Sequence, residues 1–156
     1  MSWYTTPMLE IIETRRDNLT ISTDPARLDL DAVTAMLSRS YWAKGRKREM
    51  IARYVQHSLV FGIYDGPQQV GLARVISDYT TFAYLCDVFI HEDYRARGIG
   101  KWLVETVLAH PDLQGLRRWM LATQDAHGLY KQYGFNTLNN PERWMEIFNP
   151  PPAETQ

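Results

Sequence analysis

The segment 87–101, Asp-Val-Phe-Ile-His-Glu-Asp-Tyr-Arg-Ala-Arg-Gly-Ile-Gly-Lys, constrains the chain more than any other stretch. An apolar strand runs into a basic, glycine-bearing turn, and the turn opens directly into a helix. Such a turn gathers backbone N–H groups beside a helix N-terminus, which is a ready site for a phosphate group. Gly98 and Gly100 let backbone approach an anion closely, because no Cβ intervenes. Arg95, Arg97 and Lys101 surround the spot with positive charge. Two common phosphate loops are excluded. A Walker A loop needs Gly five residues before the Gly-Lys pair and Ser or Thr after it, where Arg95 and Trp102 stand. A dinucleotide fingerprint needs a third Gly where Leu103 stands.

What remains is Arg95-x-x-Gly98-x-Gly100 between strand and helix. About thirty residues on lies Thr123-Gln-Asp-Ala126-His-Gly-Leu129-Tyr130-Lys-Gln-Tyr133-Gly134-Phe135, a short helix closed by Gly134, a natural C′ residue. The first pattern resembles the pyrophosphate loop of the GNAT family of N-acetyltransferases, Gln/Arg-x-x-Gly-x-Gly/Ala. The second resembles that family's other hallmark, Ala, then Leu-Tyr, then Gly-Phe. Read without the second motif, the loop has an alternative reading as a glycine-rich turn with basic decoration. Together, in this order and with a strand between them, they extend the resemblance over roughly residues 18–148.

The chain's 156 residues suit one domain with a proper core. Residues 18–148 are therefore expected to form a single acetyltransferase domain, with 1–17 as an N-terminal extension and 149–156 as a Pro-rich tail. The net charge of −1, with acids and bases interspersed, gives no nucleic-acid surface. The run Lys44–Arg48 reads as a solvated helix start or as a phosphate or acidic-substrate contact. The single Cys86 excludes an internal disulfide and fits a reducing compartment. It falls in an apolar strand, as a small packed residue. No signal-peptide pattern and no membrane-length apolar run is present, so a soluble, cytoplasmic protein is expected.

Periodicity predicts a strand at 19–22, a helix after Asp29 as N-cap with Leu30, Val33, Met36 and Leu37 on one face, and a second helix over 46–56. Strands follow at 59–63, 70–77 and 81–90, the last two joined by a hairpin near Asp78-Tyr79. A helix carrying Ile99, Leu103 and Val107 follows the loop and ends at His110-Pro111. A strand at 116–122, a helix at 125–133 and a last strand at 143–148 complete the order. Residues 1–17 show no clear periodicity.

The resemblance implies an α+β GNAT fold: a mixed, mostly antiparallel sheet of six to seven strands flanked by about four helices. In that family the fourth and fifth strands, here residues 84–90 and 117–122, splay apart and admit acetyl-CoA. Main-chain groups at the splay would pair with the pantetheine amides. The pyrophosphate would be held mainly by N–H groups of Arg95, Ala96, Arg97, Gly98, Ile99, Gly100 and Lys101. Val88, Phe89 and Ile90 would supply backbone contacts to the pantetheine and acetyl carbonyl, one N–H stabilising the oxyanion. Tyr130 stands where many members place a tyrosine beside the CoA sulfur; a phenol can protonate a leaving thiolate, although a tyrosine packed on the sheet would look the same. Thr123 replaces a common Asn and can supply only part of its cofactor contact.

The implied reaction is acetyl transfer from acetyl-CoA, as cosubstrate and without a metal, to a primary amine by direct attack in a ternary complex. The acceptor would be a small molecule or a protein amine, and a homodimer is left open. An ammonium of pKa near 10.4 is only about one part in a few thousand neutral at pH 7, so a base or a desolvating pocket is required. Asp87 is the candidate: it acts as base directly or through water, or binds a cationic substrate, or is a sheet-edge carboxylate with no chemistry. Asp78 and His127 are its rivals. Tyr41 and Trp42, at the joint between the first two helices, either line the substrate mouth or, for Trp42, cover the core as a hydrophobic staple. Arg74 and Asp78 can face the same cleft. The alternative to an enzyme is a GNAT-fold module that binds or senses acyl-CoA without turnover.

Overall fold

The computed structural model describes residues 8–151. The residues of the expected N-terminal extension before 8 and of the Pro-rich tail after 151 lie outside them. The chain divides after Ala122 into two compact units. The first carries a six-stranded sheet in the order β1 to β6: β1 (Glu13–Arg16), β2 (Leu19–Ser22), β3 (Leu59–Asp65), β4 (Gln68–Ser77), β5 (Phe82–Ile90) and β6 (Arg118–Leu121). Every neighbouring pair is antiparallel except β5 with β6, which run parallel because the helix α3 (Ile99–Leu108) carries the chain back between them. Helices α1 (Leu30–Ser38) and α2 (Arg48–Val55) bridge β2 and β3. The second unit holds α4 (His127–Lys131).

β3 and β4 are buried along both faces, with Phe61, Ile63, Val70, Leu72 and Val75 all in the core. Val33, Met36 and Leu37 of α1, with Ala43 and Ile51, form a core cluster with Leu72 and Phe89. The α1 stripe is the expected one. On α2 Ile51 is buried, Tyr54 and Val55 pack against the cluster, and Met50 is 55% exposed. In α3 Ile99, Leu103 and Val107 are all buried, as their spacing predicts. Asp29 is the N-cap of α1, its Oδ1 accepting the Ala32 N–H at 3.0 Å.

Two element expectations are corrected. Residues 13–16 form β1, an edge strand joined to β2 through a tight turn in which Asp17 takes φ +56°. The Asp17-Asn18 pair was the available signal, since these residue types tolerate such turns. The segment just before β1 is tied down as well. Glu10 N–H donates to Asp112, and Nε2 of the fully buried His110 lies 3.1 Å from the Glu10 carbonyl. Conversely, the strand expected at 143–148 is absent. A 3-10 turn at Pro141–Arg143 is followed by irregular chain, with Met145, Ile147 and Phe148 exposed. Alternation gives an extended backbone, but a strand also needs a ladder partner, which local pattern cannot supply.

β5 carries the feature that shapes the rest. Its pairing with β4 passes from Cys86↔Arg74 to Phe89↔Leu72, so Asp87 and Val88 together oppose Ala73 in a β-bulge. Asp87 takes φ +49°, which Asp tolerates better than most residues. On its other side, β5 pairs with β6 only from Phe82↔Arg118 to Leu85↔Leu121. From Cys86 to Ile90 the strand continues without a β6 partner.

The cap of α1 gives a stability test. Asp29→Ala removes the acceptor for the Ala32 N–H and is expected to lower unfolding free energy by about 1 kcal/mol, with Asp29→Ser recovering most of it. Urea denaturation of the three proteins measures this.

Candidate active site

A carboxylate buried in a sheet must find donors, and Asp87 finds three. Its Oδ1 accepts from Trp42 Nε1 at 2.8 Å and from Arg46 Nη1 at 3.1 Å. Its Oδ2 accepts from Arg74 Nε at 2.8 Å and from the same Arg46 nitrogen at 3.3 Å. The side chain is 1% exposed. Arg74 donates onward to Ser58 Oγ at 3.2 Å, and its guanidinium lies 4.0 Å over the Tyr54 ring. Arg46 reaches the Tyr54 hydroxyl at 3.3 Å. Four bonds use the roughly four lone-pair sites a carboxylate has, so Asp87 in this arrangement holds groups in place. Burial, then the nearby Asp87 charge, pushes the Tyr54 hydroxyl above its ordinary value. Burial pushes the neighbouring Cys86 thiol up to about 11, which makes it the inert packed residue expected.

Sequence reasoning named Asp87, Arg74 and Trp42 separately, and the fold brings them together. It left Arg46 in a basic run with two open readings, and it missed Tyr54 and Ser58 altogether. The signal for Arg46 was available: a buried acid on a sheet needs more cations than one strand neighbour supplies.

Beyond β5 the chain turns through a 3-10 segment, Glu92–Tyr94, capped by His91. Ala96 and Gly98 then take φ +63° and +74°, and Gly98 is the N-cap of α3 with no side chain capping that end. Left-handed residues next to a helix start turn successive N–H groups to one side, the arrangement that receives an oxyanion. The arginine side chains are engaged locally. Arg95 Nε donates to the Ile90 carbonyl at 2.9 Å and its guanidinium covers Phe89 at 5.1 Å. Arg97 Nη2 donates to the Asp93 carbonyl at 3.2 Å. Arg39 clamps the loop's start through two bonds to Glu92, at 2.8 and 3.1 Å, holding that carboxyl down at about 2.

A family model described as an acetyltransferase (GNAT) domain matches residues 56–137. A relative from Gibberella zeae, named as a candidate acetyltransferase, is 36% identical over 140 residues, which span 75% of this chain and 77% of the relative. The chain belongs to the GNAT acetyltransferase family. A crystal structure of a candidate GNAT acetyltransferase from Xanthomonas campestris pv. campestris is 48% identical, with a TM-score of 0.84 over 88% of this chain and 97% of that one. A GNAT acetyltransferase from Elizabethkingia anophelis with acetyl-CoA bound is 17% identical and shares the fold, with a TM-score of 0.61 over 86% of this chain and 90% of that one. The α+β fold class expected from the two motifs is the observed one.

Two backbone features stand next to each other in the chain: residues 86–90 of β5 have no β6 partner, and the start of α3 has no side-chain cap. Among the described residues no cluster of metal-binding side chains occurs, and no helix is long and apolar enough to cross a membrane.

The remaining expected residues sit as follows. Tyr41 is exposed and meets Trp42 edge-on at 5.0 Å, and Trp42 also faces Phe89 at 6.4 Å. Asp78 closes the β4–β5 hairpin. Its Oδ1 accepts the Thr80, Thr81 and Phe82 N–H groups, and those bonds, with the Thr81 hydroxyl foremost, hold its carboxyl far below the usual range. In the second unit, Thr123 Oγ1 accepts the Ala126 N–H at 3.0 Å at the start of α4, of which His127 is the first residue. Tyr130 is buried and lies edge-on to Phe135 at 5.9 Å.

The cage around Asp87 predicts a structural effect. Asp87→Asn leaves Arg74 and Arg46 without a counter-charge, and stability is expected to fall by about 3 kcal/mol. Unfolding in urea tests this. Unchanged stability with lost turnover would reduce Asp87 to a base alone.

Proposed function

We propose that the chain transfers the acetyl group of acetyl-CoA to a primary amine by direct attack in a ternary complex. The observation that carries this reading is the unpartnered run of β5 after Leu85, interrupted by the bulge at Asp87–Val88 and leading to the uncapped start of α3. The acetyl-CoA bound in the Elizabethkingia anophelis neighbour supports the choice of donor. Acetyl-CoA supplies an activated acyl group and a thiolate leaving group.

The chain's residues would divide the work. N–H groups of Arg95–Lys101 hold the pyrophosphate, with Gly98 and Gly100 permitting close approach. Main-chain groups of Val88, Phe89 and Ile90 orient the pantetheine arm, and an N–H in the bulge polarises the acetyl carbonyl. Thr123 supplies a minor cofactor contact. Tyr130 donates the proton to the departing thiolate, assigned on the family pattern. Asp87 acts as a positioning residue. Its oxygens hold Arg46, Arg74 and Trp42, which line the acceptor side with Tyr41. Asp78 secures the hairpin beside them. Loss of the amine's proton is then left to a desolvated pocket or to water. The domain is taken as residues 18–148 together with the strand β1 that joins its sheet, and the location as cytoplasmic. No observation favours the module without turnover over the enzyme.

Thermal or calorimetric titration tests the donor. Acetyl-CoA at roughly a hundredfold above its dissociation constant is expected to stabilise the fold by about 2.7 kcal/mol. A Cβ at Gly98 meets nothing within 4 Å, but its φ of +74° is one that β-branched residues resist. Gly98→Val is therefore expected to weaken acetyl-CoA binding more than Arg97→Ala, whose side chain is tied to Asp93. No response to millimolar acetyl-CoA or CoA would end the proposal.

Tyr130→Phe keeps the ring and deletes one hydroxyl. Turnover, followed by thiol release, is expected to fall by on the order of 10²–10⁴ with acetyl-CoA affinity nearly unchanged. Unchanged turnover would remove Tyr130 from the mechanism.

A further inference from the structure

The cluster on β5 is out of charge balance. Two guanidiniums, Arg46 and Arg74, share the single carboxylate of Asp87, so one positive charge is left over. Arg74, Asp87 and Arg46 also bear on the half-buried Cys86 thiol beside the cluster. The same three act on Tyr54. A half-buried cluster with an uncompensated cation has an open demand for an anion, because a guanidinium taken partly out of water needs acceptors.

Arg46 is the residue able to meet that demand. Arg74 is 10% exposed and committed through Nε to Asp87 and through Nη1 to Ser58. The Arg46 side chain is 28% exposed, and among the described residues its hydrogen bonds all leave from Nη1. That nitrogen serves three acceptors at 3.1 to 3.3 Å, longer than charge-assisted bonds usually run. The rest of the planar fork matches a carboxylate or phosphate edge. Gly45, at φ +85° with nothing within 4 Å of its Cβ position, turns the chain immediately before it. Arg46 is also bonded to Asp87, whose successor Val88 lies on the open edge of β5.

We infer that the acceptor amine also carries an anionic oxygen group, a carboxylate or a phosphate, and that Arg46 receives it. The inference rests on the reading that acyl transfer takes place at the β5 edge. It names an amino-acid-like acceptor and disfavours polyamines. A second cation would find the Asp87 oxygens filled and would face the surplus positive charge.

Matched pairs test this. Amino acids and their C-terminal amides share side chain and amine and differ in the anion. Aminoethylphosphonate against ethylamine does the same for a phosphate-like group, and spermidine is the cationic opposite. Binding is measured by calorimetry with and without CoA, and turnover by thiol release from acetyl-CoA. The anionic member of at least one pair is expected to bind about tenfold or more tightly than its partner, and spermidine is expected to bind worst. Arg46→Met is expected to bring the ratio close to one while acetyl-CoA affinity is kept, and Arg46→Lys to retain part of it. Equal or tighter binding of the neutral member in both kinds of pair, or spermidine binding best, overturns the inference, as does a ratio that survives in Arg46→Met. The wild-type ratio and Arg46→Lys decide the matter if Arg46→Met does not fold. Anion discrimination without any thiol release removes the transferase reading and leaves the anion site. Thiol release without discrimination does the reverse.

Discussion

The bulge at Asp87–Val88 is the constraint on which the rest of the site depends. Two residues of β5 oppose Ala73 alone, so the side-chain alternation of β5 slips by one against β4. Phe89 thereby joins the α1–α2 cluster beside its partner Leu72, while Ala83 and Leu85 lie buried further back along the strand. The slip also puts a carboxylate inside the sheet at a left-handed backbone position. A buried charge without partners costs several kcal/mol, and this one recruits three donors from two places: Trp42 and Arg46 from the joint after α1, and Arg74 from β4. The joint is consequently held against the strand by charge as well as by the packing of Ala43 and Ile51.

The same strand leads to the basic, glycine-bearing turn before α3, and the two are coupled by side chains that double as packing. Phe89 lies under both Arg39, at 5.7 Å, and Arg95, at 5.1 Å. Arg95 is bonded back to the Ile90 carbonyl, and Arg39 reaches forward to Glu92. Arg95 and Arg97 thus brace the loop's shape, and no side chain caps the start of α3. Ala96 and Gly98 occupy left-handed conformations within the same turn.

Carboxylates of the chain have been sorted by environment. Asp78 and Asp87 look alike in sequence, each near an end of the strand that carries the site. Asp78 is exposed and spends its oxygens on the N–H groups of its own turn. Asp87 is buried and spends them on cations from distant segments. Asp87 has no idle lone pair in this arrangement, and two guanidiniums, Arg46 and Arg74, share its single negative charge.

Local chemistry was legible in the sequence. The Arg95–Lys101 loop, the Asp29 cap, the stripes of α1 and α3 and the closing Gly134 depend on neighbours a few residues away, and each appears where its residues predict. The order of elements and the two motifs sufficed for the family and the α+β class. What depended on distant partners was not legible. The bulge is set by how β4 and β5 align. The edge strand at Glu13–Arg16 depends on β2, and the missing strand at 143–148 had the right alternation without a ladder to join. Arg46 read as one cation in a basic run, because its partner Asp87 is 41 residues away. Sequence pattern determines backbone preference and apolar faces, since both are short-range. Which charges meet, and which one is left over, is decided only when the strands and the α1–α2 joint close on each other.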